Sequence, residues 1–209
     1  MKIINYGHAC IKVIDDGVSV IFDPYRDLSV PGLTLPDGLE ADYVFCSHEH
    51  DDHNAVEKVK LTGKKPPLKM KEVVFNHDPE GGRLRGKTIA RILYFSDYSI
   101  CHLGDCGDVN ELLENEEIDN IDIVLCPING FYTICVMDAL RLKRNKNWRL
   151  LIPIHYQNKN PQMSTGYPDG GQINIFVKSI DKYALVPSSG FEVEEKYFNY
   201  NYAIFDYLK

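Results

Sequence analysis

The chain has 209 residues, 44 % of them hydrophobic and 25 % charged, a composition that can bury a sizeable core. Lys and Arg number 23 against 30 Asp and Glu, and the net charge of −7 disfavours a broad face for the phosphate backbone of nucleic acid. The six cysteines form no Cys-x-x-Cys pair, no stretch reaches the ~20 apolar residues of a membrane span, and no secretory leader pattern opens the chain. A cytoplasmic protein with reduced thiols is expected, with no membrane or nucleic-acid partner.

Taken in order, Cys10 to Ile14 and Val18 to Phe22 flank Asp15-Asp16-Gly17 and predict a β-hairpin, since Asp-Gly supplies the positive-φ turn. Pro24 ends the second strand, and the Pro- and Gly-rich stretch from Ser29 to Gly38 predicts a flap or rim loop. Five short apolar runs follow, and each ends in polar or turn-forming residues. Tyr43 to Cys46 leads into Ser47-His48, Glu72 to Phe75 into Asn76-His77, and Ser99 to Leu103 into Gly104-Asp105. Ile121 to Cys126 leads into Pro127, and Leu150 to Ile154 into His155. All five read as buried strands, and in layered α/β folds ligands gather beyond the carboxyl ends of strands. Helices are predicted over Glu111 to Glu117 with Asn110 as cap, over Thr133 to Asn145, and around Ile173, Phe176, Val177 and Ile180. The aromatic tail from Tyr197 to Tyr207 reads as an edge strand. No repeat or linker is apparent, so residues 1–209 are expected to form one domain.

The most specific signal is His48-Glu49-His50-Asp51-Asp52-His53, placed directly after an apolar run. Residues two apart on an extended chain point the same way, so His48 and His50 can share one cation, and a turn sends Asp52 and His53 toward a second. Imidazole and carboxylate donors suit zinc, with manganese, iron and nickel as alternatives. One hexapeptide cannot complete two coordination spheres. His77, Asp105 and His155, all at strand ends, are the candidates to complete them, and Asp105 can bridge two cations ~3.5–4 Å apart.

His48-x-His50-x-Asp52-His53, then His77, Gly104-Asp105 and Pro153-Ile154-His155-Tyr156 resemble the ordered motifs of the metallo-β-lactamase superfamily. Gly7-His8-Ala9, Asp23-Pro24, His102-Leu103-Gly104-Asp105 and Pro127-Ile128-Asn129-Gly130 are similar to its ascorbate-6-phosphate lactonase-like branch. The resemblance implies an α+β chain folded as a four-layer αβ/βα sandwich with its metals at one edge. It also implies that His48, His50 and His77 hold one metal, and Asp52, His53 and His155 the other, with Asp105 between them. His8, Asp23, His102, Asn129 and Tyr156 would stand behind the ligands or face the substrate. The sequence departs from the family pattern in three places: the segment between His53 and His77 is short, as if a helix and strand were trimmed, Cys106 replaces Thr, and Asn129 replaces Gly.

The implied reaction is hydrolysis of an ester, lactone or related bond by a metal-bound hydroxide, with Asp52 and Asp105 as catalytic residues. The partner is a small-molecule substrate, for which an anion is one reading, and a homo-oligomer stays open. Arg83 and Arg85 after Gly81-Gly82, with Lys64 and Lys65, could contact an anion, although a solvated charged loop is the plainer reading. Two alternatives stand beside the hydrolase: a phosphodiesterase or nuclease of the same fold, and a metal-binding regulatory domain without turnover. A flavin-linked di-iron oxidoreductase is more remote, because no flavin-binding domain is evident.

Overall fold

The computed structural model describes residues 1–156 and 171–206. Strand β1 (Lys2–Asn5) pairs antiparallel with β2 (Ile11–Asp15), and β2 turns back into β3 (Val18–Phe22). The predicted turn is present, with Asp16 at φ 49° and Gly17 at φ 72°. Next come β4 (Leu39–Ala41), β5 (Tyr43–Phe45), a three-residue 3-10 turn at Val56–Lys58, and β6 (Val59–Leu61). An antiparallel hairpin, β7 (Lys69–Asn76) and β8 (Lys87–Tyr94), precedes β9 (Ser99–His102), β10 (Ile123–Pro127) and β11 (Leu150–Ile154). Helices α1 (Val109–Glu114), α2 (Val136–Asn145) and α3 (Gly171–Lys178) are followed by β12 (Ala184–Pro187), β13 (Phe191–Glu192), the short α4 (Glu195–Phe198) and β14 (Ala203–Asp206).

Two five-stranded sheets result, in the orders β13-β1-β2-β3-β5 and β11-β10-β9-β8-β7. Their inner faces share one apolar cluster, in which Ile11, Val13, Val20 and Phe22 meet Ile100, Leu125, Ile152 and Ile154. The alternate residues Cys101, Val124 and Leu151 join Leu112, Leu140 and Phe176 of α1, α2 and α3 on the outer face of the second sheet. Strands buried on both faces read as unbroken apolar runs, and this is why they were visible in the sequence. Each fully buried Leu, Ile or Phe contributes about 1.5–3 kcal/mol relative to exposure.

The outer face of the first sheet is covered differently. Ile21 packs with Tyr25, Val30, Leu35, Leu39 and Val59, from the predicted rim loop and the β4–β6 ribbon, and that cluster contains no helical residue. The shortened segment before His77 leaves one 3-10 turn and β6 on this side.

The same clasp closes a parallel strand pair in each sheet. Asp42 Oδ2 accepts the Ser19 N–H (2.8 Å) and hydroxyl (2.7 Å), and the Asp42 N–H donates to Ser19 Oγ (3.0 Å). Ser99 and Asp122 repeat all three bonds, at 2.8, 2.8 and 3.0 Å, and both pairs are 23 residues apart in sequence. The same local device thus sets the register of one strand pair in each sheet, although the sequence shows no apparent repeat.

Other expectations need correction. The run Glu72 to Phe75 belongs to a longer outermost strand that buries Val73 and Phe75 but leaves Val74 57 % exposed. Strand β8 was not anticipated, because Arg91 interrupts its apolar pattern. The cap of α1 is Asp108, whose side chain accepts the Asn110 and Glu111 N–H groups, and the predicted helix breaks at Asn115 into a 3-10 turn. In the tail, α4 precedes β14, which pairs parallel with β12. Tyr207 lies outside the described residues.

Candidate metal centre

The centre forms where both sheets end on the same edge. Strand β3 runs into Asp23, held at φ 45° and fully buried, beside the neighbouring end of β5. Asp23 Oδ1 accepts the Ser47 N–H at 2.6 Å, and Oδ2 accepts the Ser47 hydroxyl at 2.7 Å. Oδ2 also lies 2.9 Å from His53 Nδ1, and Ser47 Oγ lies 2.9 Å from His48 Nδ1. Because the Ser47 proton goes to Asp23, His48 Nδ1 must donate to Ser47. In the neutral form that binds a cation, both imidazoles then carry their lone pair on Nε2.

Those lone pairs converge on one atom. Asp105 Oδ2 is 3.1 Å from His155 Nε2, 3.3 Å from His53 Nε2, 3.6 Å from His77 Nε2 and 4.0 Å from His48 Nε2. Gly104 permits this approach. It sits at φ +59°, and a Cβ there would fall 2.5 Å from Thr88 Oγ1 and 2.6 Å from Ser47 Cβ. Thr88 Oγ1 in turn accepts the Asp105 N–H at 3.1 Å.

The donors gather in three overlapping groups, one of which, His48, His53 and Asp105, links the other two. His48, His50 and His77 have ligating atoms within 4.8 Å of one another, with ring centroids 4.5 to 5.3 Å apart. Asp52, His53 and His155 form the second group, and His8 joins them. His8 Nε2 lies 3.2 Å from Asp52 Oδ2, and its ring centroid is 3.9 Å from that of His155.

The remaining predicted residues separate by role. His102 is buried, donates from Nε2 to the Ala9 carbonyl (2.9 Å) and accepts the Gly104 N–H at Nδ1 (3.1 Å), so both ring nitrogens brace backbone beside the donor set. Asn129 Oδ1 accepts the Phe131 and Tyr132 N–H groups, so this side chain shapes its own loop. Tyr156 packs into the helical-side core. The buried Cys106 thiol donates to the Leu103 carbonyl at 2.8 Å, and burial raises its pKa well above the usual range, which leaves it a poor nucleophile. Sequence reasoning missed Ser47, Thr88 and Arg91. Arg91 Nη1 donates to the Cys46 carbonyl at 2.6 Å and Nε to Glu72 at 2.8 Å, holding the chain just before the His-rich motif. The loop from Tyr156 to Gly171, which by its place after His155 is also expected from the sequence to shape the pocket, lies almost wholly outside the described residues.

Charge and chemistry fit a cation-binding role. Burial would raise the pKa of Asp105, but His155 and His53 hold it well below the carboxylate range. Burial works against charge on His48 and brings it down to about 3. Burial opposes charge on His53 as well, yet Asp105 and Asp23 on its two sides pull it well above the imidazole range. Asp23 stays ionised at about 2 although burial opposes it, through His102, His53 and Ser47. Buried polar atoms ordinarily find partners. Here His48 Nε2, His53 Nε2 and His155 Nε2 are buried without a hydrogen-bond partner, as is Asp105 Oδ1, and the three imidazole nitrogens lie within 4.0 Å of Asp105 Oδ2. Lone pairs gathered in this way match the donor set of divalent metals.

Comparison with known proteins agrees. Residues 2–155 match the family model described as a beta-lactamase superfamily domain. A UPF0173 metal-dependent hydrolase of Staphylothermus marinus is 27 % identical over 196 residues, covering 77 % of this chain and 86 % of that protein. A proposed Zn-dependent hydrolase of the metallo-β-lactamase superfamily from Thermotoga maritima superposes with a TM-score of 0.72 at 28 % identity, covering 98 % of this chain and 97 % of that one. A metallo hydrolase from Ignicoccus hospitalis, 20 % identical with a TM-score of 0.64, shares the fold over 92 % of this chain and 99 % of its own.

Proposed function

We propose, from the premise that this chain belongs to the β-lactamase superfamily and is a metal-dependent hydrolase, that it works with two divalent cations on an ester, lactone or related small-molecule bond. The carrying observation is the convergence of four imidazole Nε2 atoms on Asp105 Oδ2 within 4.0 Å. His48, His50 and His77 would hold one cation, and Asp52, His53 and His155 the other, with Asp105 shared. Zinc suits this donor set best, and manganese, iron or nickel would also be accepted. When bound, the pair supplies the positive charge that makes water acidic near neutral pH and polarises the bond under attack.

The chain's own residues have distinct tasks. Asp23 and Ser47 fix the tautomers of His53 and His48, so that donor lone pairs are available without rearrangement. Asp105 is buried too deeply for proton traffic with solvent, its side chain being 3 % exposed. Asp52 is 32 % exposed, and its Oδ2 is the atom proposed to take a proton from the attacking water and pass it to the leaving group.

The test is metal content per chain, measured alongside a hydrolysis panel of esters, lactones, thioesters and phosphodiesters. Wild type should carry about two equivalents and turn over at least one class, and Asp105→Asn should retain one or fewer and lose turnover. Activity confined to phosphodiesters would favour the nuclease alternative. Bound metal with no turnover on any class would favour a regulatory domain.

A further inference from the structure

Two loops that leave the metal centre meet over a separate cavity. One begins at Asp78, directly after His77. Its buried carboxylate accepts four backbone N–H groups, with Oδ1 taking those of Glu80 (2.9 Å) and Gly82 (3.2 Å) and Oδ2 those of Leu84 (3.0 Å) and Arg85 (2.8 Å). A loop wrapped around one carboxylate in this way is held in a single shape. The other loop follows β10. Asn129 Oδ1 pins the Phe131 and Tyr132 amides, and Gln172 Nε2 donates to the Asn129 carbonyl at 2.8 Å, tying the loop to α3.

The cavity between them has a volume of about 370 Å³, and Arg85, Gly107, Phe131 and Tyr132 line it. It borders the metal centre closely. A Cβ on Gly107 would fall 2.4 Å from the His77 carbonyl oxygen, so its wall is the backbone that carries His77 and Asp105.

Arg85 differs from the other arginines nearby. Arg83 pairs with Glu80 at 3.4 Å, and Arg91 with Glu72 at 2.8 Å. The Arg85 guanidinium lies 5.4 Å from the Tyr132 ring centroid and 5.8 Å from that of Phe131, and among the described residues its side chain has no carboxylate or carbonyl partner. Stacking on rings holds a guanidinium while leaving its planar fork of N–H donors available for a carboxylate or phosphate. The acids that share the cavity are engaged. Asp108 Oδ1 accepts the Asn110 and Glu111 N–H groups, and Asp138 Oδ2 accepts that of Cys135. Phe131 and Tyr132, 68 % and 46 % exposed, offer apolar surface to the rest of a ligand.

We propose that Arg85, flanked by Phe131 and Tyr132, is an oxyanion-recognition site that selects substrates bearing a carboxylate or phosphate on an apolar body. The word substrate here rests on the hydrolase reading, while the site itself rests on the two pinned loops and the unpaired guanidinium.

The experiment is calorimetric titration of the metal-loaded protein with benzoate, phenyl phosphate and neutral benzyl alcohol, repeated after chelation. Wild type, Arg85→Gln, Arg85→Lys and Arg83→Gln are compared, with metal content measured for each. Wild type should prefer at least one anion to the alcohol, and the tighter anion names the group recognised. Arg85→Gln should weaken that anion about tenfold or more at unchanged metal content, with Arg85→Lys in between and Arg83→Gln like wild type. Should Arg85→Gln lose metal, the Arg85→Lys comparison decides. Anion affinity within about twofold of wild type in Arg85→Gln overturns the proposal, as does no anion binding to wild type at about 10 mM. Binding that vanishes on chelation and ignores Arg85 places the anion on the metals and also overturns it. Titration needs no turnover, so failure of this site is distinguishable from failure of the hydrolase reading, which the hydrolysis panel reports.

Discussion

At the scale of single residues, His8 performs two tasks from one left-handed position. Its backbone sits at φ 55°, a region non-glycine residues seldom occupy, and its carbonyl accepts the N–H of His155, itself at φ 49°. Its ring meanwhile holds Asp52 at 3.2 Å. Two donors of one metal group are thus oriented by a residue from the β1–β2 turn. His8→Ala should weaken the affinity for the second metal equivalent about tenfold, whereas His8→Asn, which tolerates the left-handed region and keeps an amide donor, should retain more of it. Stepwise metal titration with a competing chelator would show this, and equal affinities in wild type and His8→Ala would remove His8 from the site. The sequence showed the six-residue His/Asp motif because its donors are near neighbours on one chain. It showed Asp105 and His155 because each ends an apolar run. His8 was placed near the site by resemblance, but the bracing by Ser47, Thr88 and Arg91 was not legible, because each acts through contacts that only the folded sheets create.

At the scale of elements, strands that form unbroken apolar runs were readable even at a sheet edge, as β5 and β11 are, and an interior strand whose run is interrupted was not. Strand β8 hides a charged Arg91 between Glu72 and the Cys46 carbonyl, so its apolar pattern is broken by a side chain that is buried but satisfied. The α1 cap was misplaced by two residues because Asp108 and Asn110 are both good caps, and only the fold decides between them. The Ser99–Asp122 clasp permits an element-level test. Burial opposes ionisation of Asp122, but the Ser99 N–H, Arg149 and the Ser99 hydroxyl outweigh it and hold the carboxyl below its usual range. A carboxyl depressed in the folded chain adds stability that is fully present above its unfolded value near ~3.9 and is lost as pH falls through the folded value. Asp122→Asn should therefore cost about 1–2 kcal/mol near neutral pH in urea denaturation, with the gap to wild type closing below about pH 4. A gap independent of pH would show that Asp122 acts through shape and not charge.

At the scale of the whole molecule, the metal centre joins two sheets that also meet through apolar packing and a few polar contacts, among them Arg91 to the Cys46 carbonyl and His102 to the Ala9 carbonyl. Donors from the end of the first sheet face Asp105 and His155 from the end of the second, so any cation held there spans both. Ligands that bind only the folded chain stabilise it by mass action, about 4 kcal/mol when free metal exceeds its dissociation constant a thousandfold, or roughly 10 °C for a chain of this size. Chelation should lower the melting temperature by that order, and an unchanged melting curve would mean that the donors hold no ion tightly. Among the described residues no helix is long and apolar enough to cross a membrane. The paired Ser–Asp clasps have a consequence for the site. Each fixes the register of a strand pair at the end opposite the metal centre, where β3 and β5 lead to Asp23 and His48 and β9 leads to Asp105. The spacing between donors from the two sheets is thus set partly by serines and aspartates a strand's length away from them.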